Sequence, residues 1–303
     1  MTIYPDTNIW NALCDQAVDP AGFGAGLSAR NVKLVLSFHT VNELLRTFQG
    51  SRDDSRRRGM ELFSYIGEHL KGGHILGVHE ILEIMGFEMS VANRRSSAPN
   101  PFVSKSRLSK LTAAVQRHAA GDFGVEADEF VNERRQFSAA ARLGQKEHIE
   151  GRPDIRDKLR AISEEMLPTW LEETSTTPNP DALSLLSDRI RYRFNESTPV
   201  DSLQYANALI QSPTLRFSKA SIRADLYYNW RCANRGSNSK DLYDDMYHVL
   251  EAAYCDAYVT KEPGQAKYAH LVLTKDTTVH IYSPEVPIDQ WLEALAIKQQ
   301  MAA

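Results

Sequence analysis

Strand-forming segments occur only near the two ends of this chain, and each is short and apolar. The predicted strands are residues 3–4, 33–37, 257–260 and 278–282. Helical patterns follow the strands along the sequence. Short strands that alternate with helices form a parallel sheet of the α/β class. The sequence therefore predicts one α/β domain whose halves come from the two ends of the chain.

The middle of the chain has helical patterns in place of strand patterns. Apolar residues recur at helical spacing in residues 60–70, 108–118, 127–143 and 155–170. We therefore expect a short parallel sheet flanked by helices, formed by residues 1–50 and 237–303. A large, mostly α-helical insertion, residues 51–236, would interrupt it.

Two local features lie in the N-terminal segment. The glycine-rich stretch 21–26 has no Lys-Ser or Lys-Thr after it and does not join a strand to a helix. It is therefore predicted to be a flexible loop and not a phosphate-binding loop. After the second strand, Thr40 is expected to cap a helix whose apolar face contains Val41, Leu44, Leu45 and Phe48.

Composition narrows the class of protein. Hydrophobic residues make up 42% of the 303 residues, which is typical of a globular chain. The 35 basic and 39 acidic residues give a net charge of -4, so bulk charge does not explain binding to nucleic acid. The three cysteines lack the spacing of a zinc site or of a disulfide framework. The first residues lack the pattern of a signal peptide, and no apolar stretch is long enough to span a membrane, so a cytoplasmic protein is predicted.

Four acidic residues lie at predicted ends of strands or starts of helices, where α/β proteins collect functional groups: Asp6, Glu43, Asp245 and Glu262. Taken singly, Asp6 can be a helix N-cap, and Glu43 can form a capping box with Thr40. Taken together, clustered carboxylates repel one another unless a cation neutralises them. Mg²⁺ favours such oxygen ligands, and a metal held in this way assists phosphodiester hydrolysis.

The segments that carry these acids resemble the PIN-domain family of metal-dependent nucleases. The similar segments are Tyr-Pro-Asp-Thr-Asn at residues 4–8, residues 36–45, and residues 241–262 with Val-Thr-Lys-Glu at their end. The resemblance covers about the first fifty and the last sixty residues. It implies a PIN-like core in which Asp6, Glu43, Asp245 and Glu262 bind Mg²⁺ or Mn²⁺ and catalyse cleavage of RNA. It also implies a homodimer or a protein inhibitor as partners.

The sequence departs from the family pattern in three places. The fourth acid is Glu262 where the family has Asp, and Asp276 in a similar Leu-Thr-Lys-Asp segment is an alternative. The third acid is one of Asp241, Asp244 and Asp245; Asp245 is preferred because it turns Val249, Ala252 and Ala253 inward, with Asp241 as a second ligand. The stretch between the second and third acids is also far longer than in the family.

Polar residues around the acids are predicted to support the site. Thr7 and Asn8 follow the first acid, and Asp244 and Thr260 complete the supporting set. His248, one turn after Asp245, is a candidate neighbour of the metal ligands, whereas His39, His74 and His79 are assigned structural roles. Asp256 is expected to position the turn before the third strand.

The RNA must be held by basic residues outside this acidic region. The favoured contacts are Arg52, Arg56, Arg57 and Arg58, which follow the helix of Glu43. The predicted function is a Mg²⁺- or Mn²⁺-dependent endoribonuclease. Two alternatives stay open, namely a catalytically silent PIN-like scaffold that binds RNA or a protein, and a DNA-directed nuclease with the same chemistry.

Overall fold

The fold was analysed in a computed structural model. The structure describes residues 1–48, 53–93, 95, 98–122, 132, 136, 139–140, 143–144, 146–177, 179–180, 183, 187, 202–212, 214–236 and 242–302.

A five-stranded, all-parallel sheet forms the centre of the fold. Its strands are β1 (Thr2–Pro5), β2 (Lys33–Leu36), β3 (Ile75–Gly77), β4 (Ala257–Thr260) and β5 (Thr278–Ile281). Their order is β3-β2-β1-β4-β5, so β1 lies in the middle and pairs with both β2 and β4. This is the order of a Rossmann-like, doubly wound sheet, in which the direction of winding reverses between β1 and β4. The predicted α/β class and parallel sheet are confirmed.

Helices cover both faces of this sheet. They are α1 (Thr7–Asp15), α2 (Pro20–Ala29), α3 (Phe38–Leu44), α4 (Asp53–Lys71), α5 (Ile81–Ala92), α6 (Lys105–Ala119), α7 (Pro153–Arg160), α8 (Leu167–Thr176), α9 (Ser202–Gln211), α10 (Arg216–Arg235), α11 (Leu242–Glu251), α12 (Pro263–Val272) and α13 (Ile288–Ala302). Short 3₁₀ turns follow α3 and α11 at Leu45–Phe48 and Ala252–Tyr254. Among the helices that the structure describes, none combines the length and the apolar character that crossing a membrane requires.

Two hydrophobic cores form because successive strand residues point to opposite faces. Tyr4 and Tyr258 belong to the first core, which contains side chains of α5 and α7–α12. Ile3 and Val259 belong to the second core, which contains side chains of α1–α4, α6 and α13. The helices of the middle region thus share their cores with the sheet.

Strand β3 was not predicted from the sequence. It is only three residues long, and it lies between the turn at Gly73, whose φ is +69°, and Val78. Parallel pairing with β2 makes it a strand, and that pairing is not visible in the local sequence. The predicted core, residues 1–50 and 237–303, therefore leaves out one strand and several helices that pack on the sheet from within residues 51–236.

The glycine-rich stretch 21–26 is helical, so the prediction of a flexible loop is wrong. Asp19 caps α2 through hydrogen bonds to the backbone N–H groups of residues 21 and 22, and Pro20 occupies its first turn. These are strong helix-start signals. Gly24 is needed for packing, because a Cβ at this position would lie 2.4 Å from the ring of His74.

Other predicted helices have mixed outcomes. Segments 60–70 and 108–118 lie within α4 and α6, as predicted. Segment 155–170 is two helices, α7 and α8, because a proline at residue 168 disfavours continuation of the first and starts the second. Most of segment 127–143 lies outside the described residues. The cap of α3 is Ser37 and not Thr40, because the hydroxyl of Ser37 accepts a hydrogen bond from the backbone N–H of Thr40.

Candidate functional site

Asp6 lies directly after β1 and forms the N-cap of α1. Its side chain is 3% exposed and accepts a hydrogen bond from the backbone N–H of Thr7 at 2.6 Å. The amide of Asn8 and the hydroxyl of Thr260 donate to the other carboxylate oxygen, at 2.5 and 3.0 Å. The capping role expected for Asp6 is therefore confirmed, and polar groups from β4 and α1 also hold its free oxygen.

Glu43 reaches the same place from α3, where it lies in the second helical turn. Its Oε2 atom accepts hydrogen bonds from the hydroxyl of Thr7 and from Nε2 of His248, the latter at 2.5 Å. Its Oε1 atom lies 3.7 Å from the guanidinium of Arg46. The capping-box interpretation of Glu43 is wrong, because its carboxylate faces α1 and α11 and not the start of its own helix.

Asp245 and Glu262 complete the group of four acids at this end of the sheet. Burial raises the pKa of Asp245 to about 7, and the negative charges of Asp6, Glu262 and Glu43 add to this effect. Burial, together with the charge of Glu43, raises the pKa of Asp6 to about 6. Glu262 is exposed at the start of α12, and its Oε1 lies 3.5 Å from the amide nitrogen of Asn8. Asp245 is thus close enough to the other three acids to be affected by their charges.

His248 of α11 supplies a cation inside the acidic group. It is 1% exposed, and its Nε2 lies 3.9 Å from Oδ1 of Asp6 as well as 2.5 Å from Glu43. Burial opposes its protonation, but the charge and hydrogen bond of Glu43 outweigh burial and raise the pKa of His248 to about 9. The same ion pair holds the pKa of Glu43 well below its ordinary value, against the effect of burial. His248 was predicted as a neighbour of the metal ligands, and it makes its hydrogen bond to one of these acids, Glu43.

Tyr4 connects this histidine to a buried carboxylate behind the site. The tyrosine hydroxyl lies 3.0 Å from Nδ1 of His248 and donates a hydrogen bond to Oε2 of Glu251 at 2.7 Å. The hydroxyl groups of Ser37 and Thr40 lie 3.0 and 3.3 Å from the same oxygen. The central strand, α3 and α11 are therefore joined at one buried atom directly beneath the acids.

His39 also belongs to the site, although the sequence assigned it a structural role. Its ring lies 4.4 Å from the ring of His248 and stacks on Tyr247 at 5.1 Å. One ligand atom each from His39, Glu43 and His248 lie within 4.8 Å of one another, which makes these three residues a possible metal-binding group. The signal in the sequence was the spacing of His39 and Glu43, because residues i and i+4 share one face of a helix.

Other acids of the prediction lie elsewhere. Asp241 is outside the described residues, and the side chain of Asp244 is also outside them. Asp276, the alternative to Glu262, precedes β5 at the amino end of the sheet and pairs with Arg216 at 3.4 Å. Asp256 positions the turn before β4, as expected, by accepting a hydrogen bond from the backbone N–H of residue 2 at 2.6 Å.

The predicted phosphate contacts are not placed beside the acids. Arg52 lies outside the described residues, and Arg56 is exposed on α4. Arg57 pairs with Asp54 at 3.1 Å, and Arg58 pairs with Asp15 and Glu61. Asp15 ends the nine-residue helix α1, so Arg58 lies about 13 Å along this helix from Asp6. The cations near the acids are instead Arg46 and Lys261, whose backbone N–H donates to Asn8 at 2.9 Å.

The site lies where ligands bind in this class of fold. Asp6 and Glu262 follow the carboxyl ends of β1 and β4, which are the two strands at the reversal of the winding. Open α/β sheets bind ligands in the crevice outside these strand ends. Comparisons of the chain with protein-family models, with curated proteins and with solved structures gave no match.

Proposed function

We propose that this protein is a divalent-metal-dependent phosphodiester hydrolase with a PIN-like core and that its substrate is RNA. The observation that carries the proposal is the convergence of Asp6, Glu43, Asp245 and Glu262 at the winding reversal of the sheet. The raised pKa values of Asp6 and Asp245 support it, because burial and, to a smaller extent, neighbouring carboxylates disfavour the charged forms that a bound cation would stabilise. The choice of RNA rests on the resemblance of the acid-bearing segments to PIN-domain nucleases.

The donor set fits a hard divalent cation. Asp6, Asp245 and Glu262 offer carboxylate oxygens, which are the ligands that Mg²⁺ and Mn²⁺ favour. A bound ion of this kind supplies positive charge for the phosphoryl oxygens and a means of activating water. The chain holds the carboxylates ready for it: Asn8 and Thr260 fix one oxygen of Asp6, while Thr7 and His248 fix one oxygen of Glu43.

Arg46 and Lys261 can take the part that was predicted for the arginines of α4. Both are exposed, and both lie beside residues of the acidic group. Positive side chains at the rim of an acidic crevice attract a phosphate backbone that the crevice itself repels. A homodimer and a protein inhibitor stay predictions from the resemblance.

One observation favours the catalytically silent scaffold. His248 already neutralises Glu43, and Glu262 is exposed, with its Oε1 3.5 Å from the amide nitrogen of Asn8. A site that carries its own cation can be stable without a metal. A DNA-directed nuclease with the same chemistry is the other alternative, and substrate comparison distinguishes it.

Cleavage of matched single-stranded RNA and DNA oligonucleotides by the purified chain tests the proposal. We expect RNA cleavage with Mg²⁺ or Mn²⁺ and none with EDTA. Asp6→Asn should lower the rate by about 100-fold or more. Asp19→Asn is the matched control, because Asp19 is also a helix N-cap and asparagine caps about as well as aspartate. Equal activity of the Asp6→Asn variant and the wild type would refute the proposal; absence of cleavage in all cases would favour the scaffold.

A further inference from the structure

We propose that His39, Glu43 and His248 form a site for a divalent transition-metal ion of the Zn²⁺ type, separate in its ligand chemistry from the oxygen ligands Asp6, Asp245 and Glu262. Two imidazoles and one carboxylate favour such ions over Mg²⁺, which prefers oxygen ligands and water. The role of this ion in hydrolysis rests on the proposed function, but its binding does not. Glu43 is common to both sets of ligands.

The backbone brings these three side chains to one point. His39 and Glu43 lie four residues apart on α3, so they project from the same face of this helix. His248 reaches them from α11, with Nε2 at 2.5 Å from Glu43 and its ring at 4.4 Å from that of His39. Ligand atoms around a shared ion with bonds of about 2.1 Å lie about 3.4 Å apart. The observed limit of 4.8 Å therefore requires only small side-chain rotations.

The hydrogen bonds behind His248 are the second observation that points to a metal. Metal-binding histidines typically donate their other ring N–H to a group that fixes the ring. The hydroxyl of Tyr4 donates to Glu251, so its lone pairs are left to accept from Nδ1 of His248. This arrangement keeps one proton on Nδ1, while Nε2 carries the proton that it donates to Glu43; a metal ion would take the place of that second proton. Tyr4 and Glu251 are both buried, so water does not compete for these bonds.

The packing around His39 holds the second imidazole in place. His39 is 5% exposed, lies against Tyr247 with an interplanar angle of 24°, and approaches His248 edge-on. A ring that is confined on two sides loses little further freedom when it binds an ion. Both imidazoles are thus ordered before a metal arrives, which favours binding.

Titration of the EDTA-treated chain with Co²⁺, followed by visible absorption, tests this site without any substrate. Co²⁺ takes the place of Zn²⁺, and its absorption reports nitrogen ligands. We expect a saturable visible band that Zn²⁺ removes and that excess Mg²⁺ leaves in place. His39→Gln and His248→Gln should each weaken Co²⁺ binding by about tenfold or more, and Tyr4→Phe by about tenfold.

His118→Gln is the matched control, because His118 is also a buried helical histidine but lies on α6, outside the site. Circular dichroism establishes whether each variant is folded. If the His248→Gln variant does not fold, two other measurements test the proposal. They are the affinity of the His39→Gln variant for Co²⁺ and the displacement of Co²⁺ from the wild type by Zn²⁺ or Mg²⁺. Displacement of Co²⁺ by Mg²⁺, or unchanged affinity in a folded His39→Gln variant, would overturn the proposal.

The outcomes separate this proposal from the proposed function. A nitrogen-ligated Co²⁺ spectrum without RNA cleavage would keep the metal site and reject the nuclease. RNA cleavage with Mg²⁺, together with His39→Gln binding Co²⁺ as the wild type does, would keep the nuclease and reject the second site.

Discussion

Replacement of Asp245 by asparagine should make the metal-free protein more stable, although it removes a proposed ligand. The pKa of Asp245 is raised from 3.8 to about 7, first by burial and then by the charges of Asp6, Glu262 and Glu43. At about 1.4 kcal/mol per pH unit, this difference corresponds to about 4 kcal/mol of unfavourable free energy for the charged form. Asparagine keeps the shape of the side chain without its charge. Because the polar amide must also be buried, which offsets part of this effect, we expect the free energy of unfolding to rise by about 2 kcal/mol at pH 8.

The pH dependence of this gain follows from the sign of the shift. Asp245 binds its proton more tightly in the folded protein than in the unfolded chain, so the wild type loses stability as the pH rises from about 4 to about 7. The advantage of the Asp245→Asn variant should therefore be full above pH 7 and shrink toward pH 4. Added Mg²⁺ or Mn²⁺ should stabilise the wild type more than the variant, because an ion that binds only the folded state raises its stability.

Urea unfolding in EDTA, followed by circular dichroism at pH 5 and pH 8, measures both effects. Asp276→Asn is the control, because Asp276 forms a partly exposed ion pair with Arg216 at the opposite end of the sheet. Its free energy of unfolding should change by no more than about 1 kcal/mol. An Asp245→Asn variant that is less stable than the wild type at pH 8, or whose difference does not depend on pH, would refute the electrostatic reasoning.

Three further expectations concern residues outside the acids. Gly24→Ala should lower the free energy of unfolding by about 1–3 kcal/mol, because the new Cβ would lie 2.4 Å from the ring of His74. Thermal melts measure this effect, and Gly26→Ala is the control, because its Cβ would contact only the flexible end of a side chain. Glu88→Ala should lower the free energy of unfolding, measured with urea, by about 3 kcal/mol or more. The buried carboxylate accepts hydrogen bonds from two backbone N–H groups at the start of α10, and both groups would lose their acceptor. Burial, with the neighbouring His74, lowers the pKa of His69 to about 3, so the folded protein should lose stability as the pH falls from 6.5 toward 3. In an acid titration, the stability of the His69→Gln variant should fall less steeply than that of the wild type. A steeper loss in that variant would contradict this cause.

The positions of the acids at the ends of β1 and β4 could be predicted because they follow from local rules. A strand that ends before a helix places the next polar residue at the carboxyl edge of the sheet, and this rule located Asp6 and Glu262. The inward face of α11 selected Asp245, because Val249 and the two alanines after it are buried as predicted. His248 and Glu251 of the same helix are also buried, which apolar spacing does not predict, because the site provides polar partners for them.

Features that depend on distant parts of the chain could not be predicted. Strand β3 exists through its pairing with β2, and the close approach of Gly24 to the ring of His74 likewise depends on the fold. The contact of His39 with His248 requires α11, which lies about two hundred residues further along the chain. The proposed transition-metal site could not be predicted for the same reason, because only the fold brings the two imidazoles to Glu43.

The central place of β1 has a consequence for biosynthesis. One of its two neighbours, β4, begins at residue 257, so β1 leaves the ribosome long before this partner is synthesised. A nascent chain can pair β1 with β2 and β3, but the other edge of β1 then exposes unpaired backbone groups, which invites association with other chains or binding by chaperones. Asp245, His248 and Glu262 are also still missing at that stage. The site is therefore completed only after Glu262 has been synthesised, and any activity that it has is absent until then.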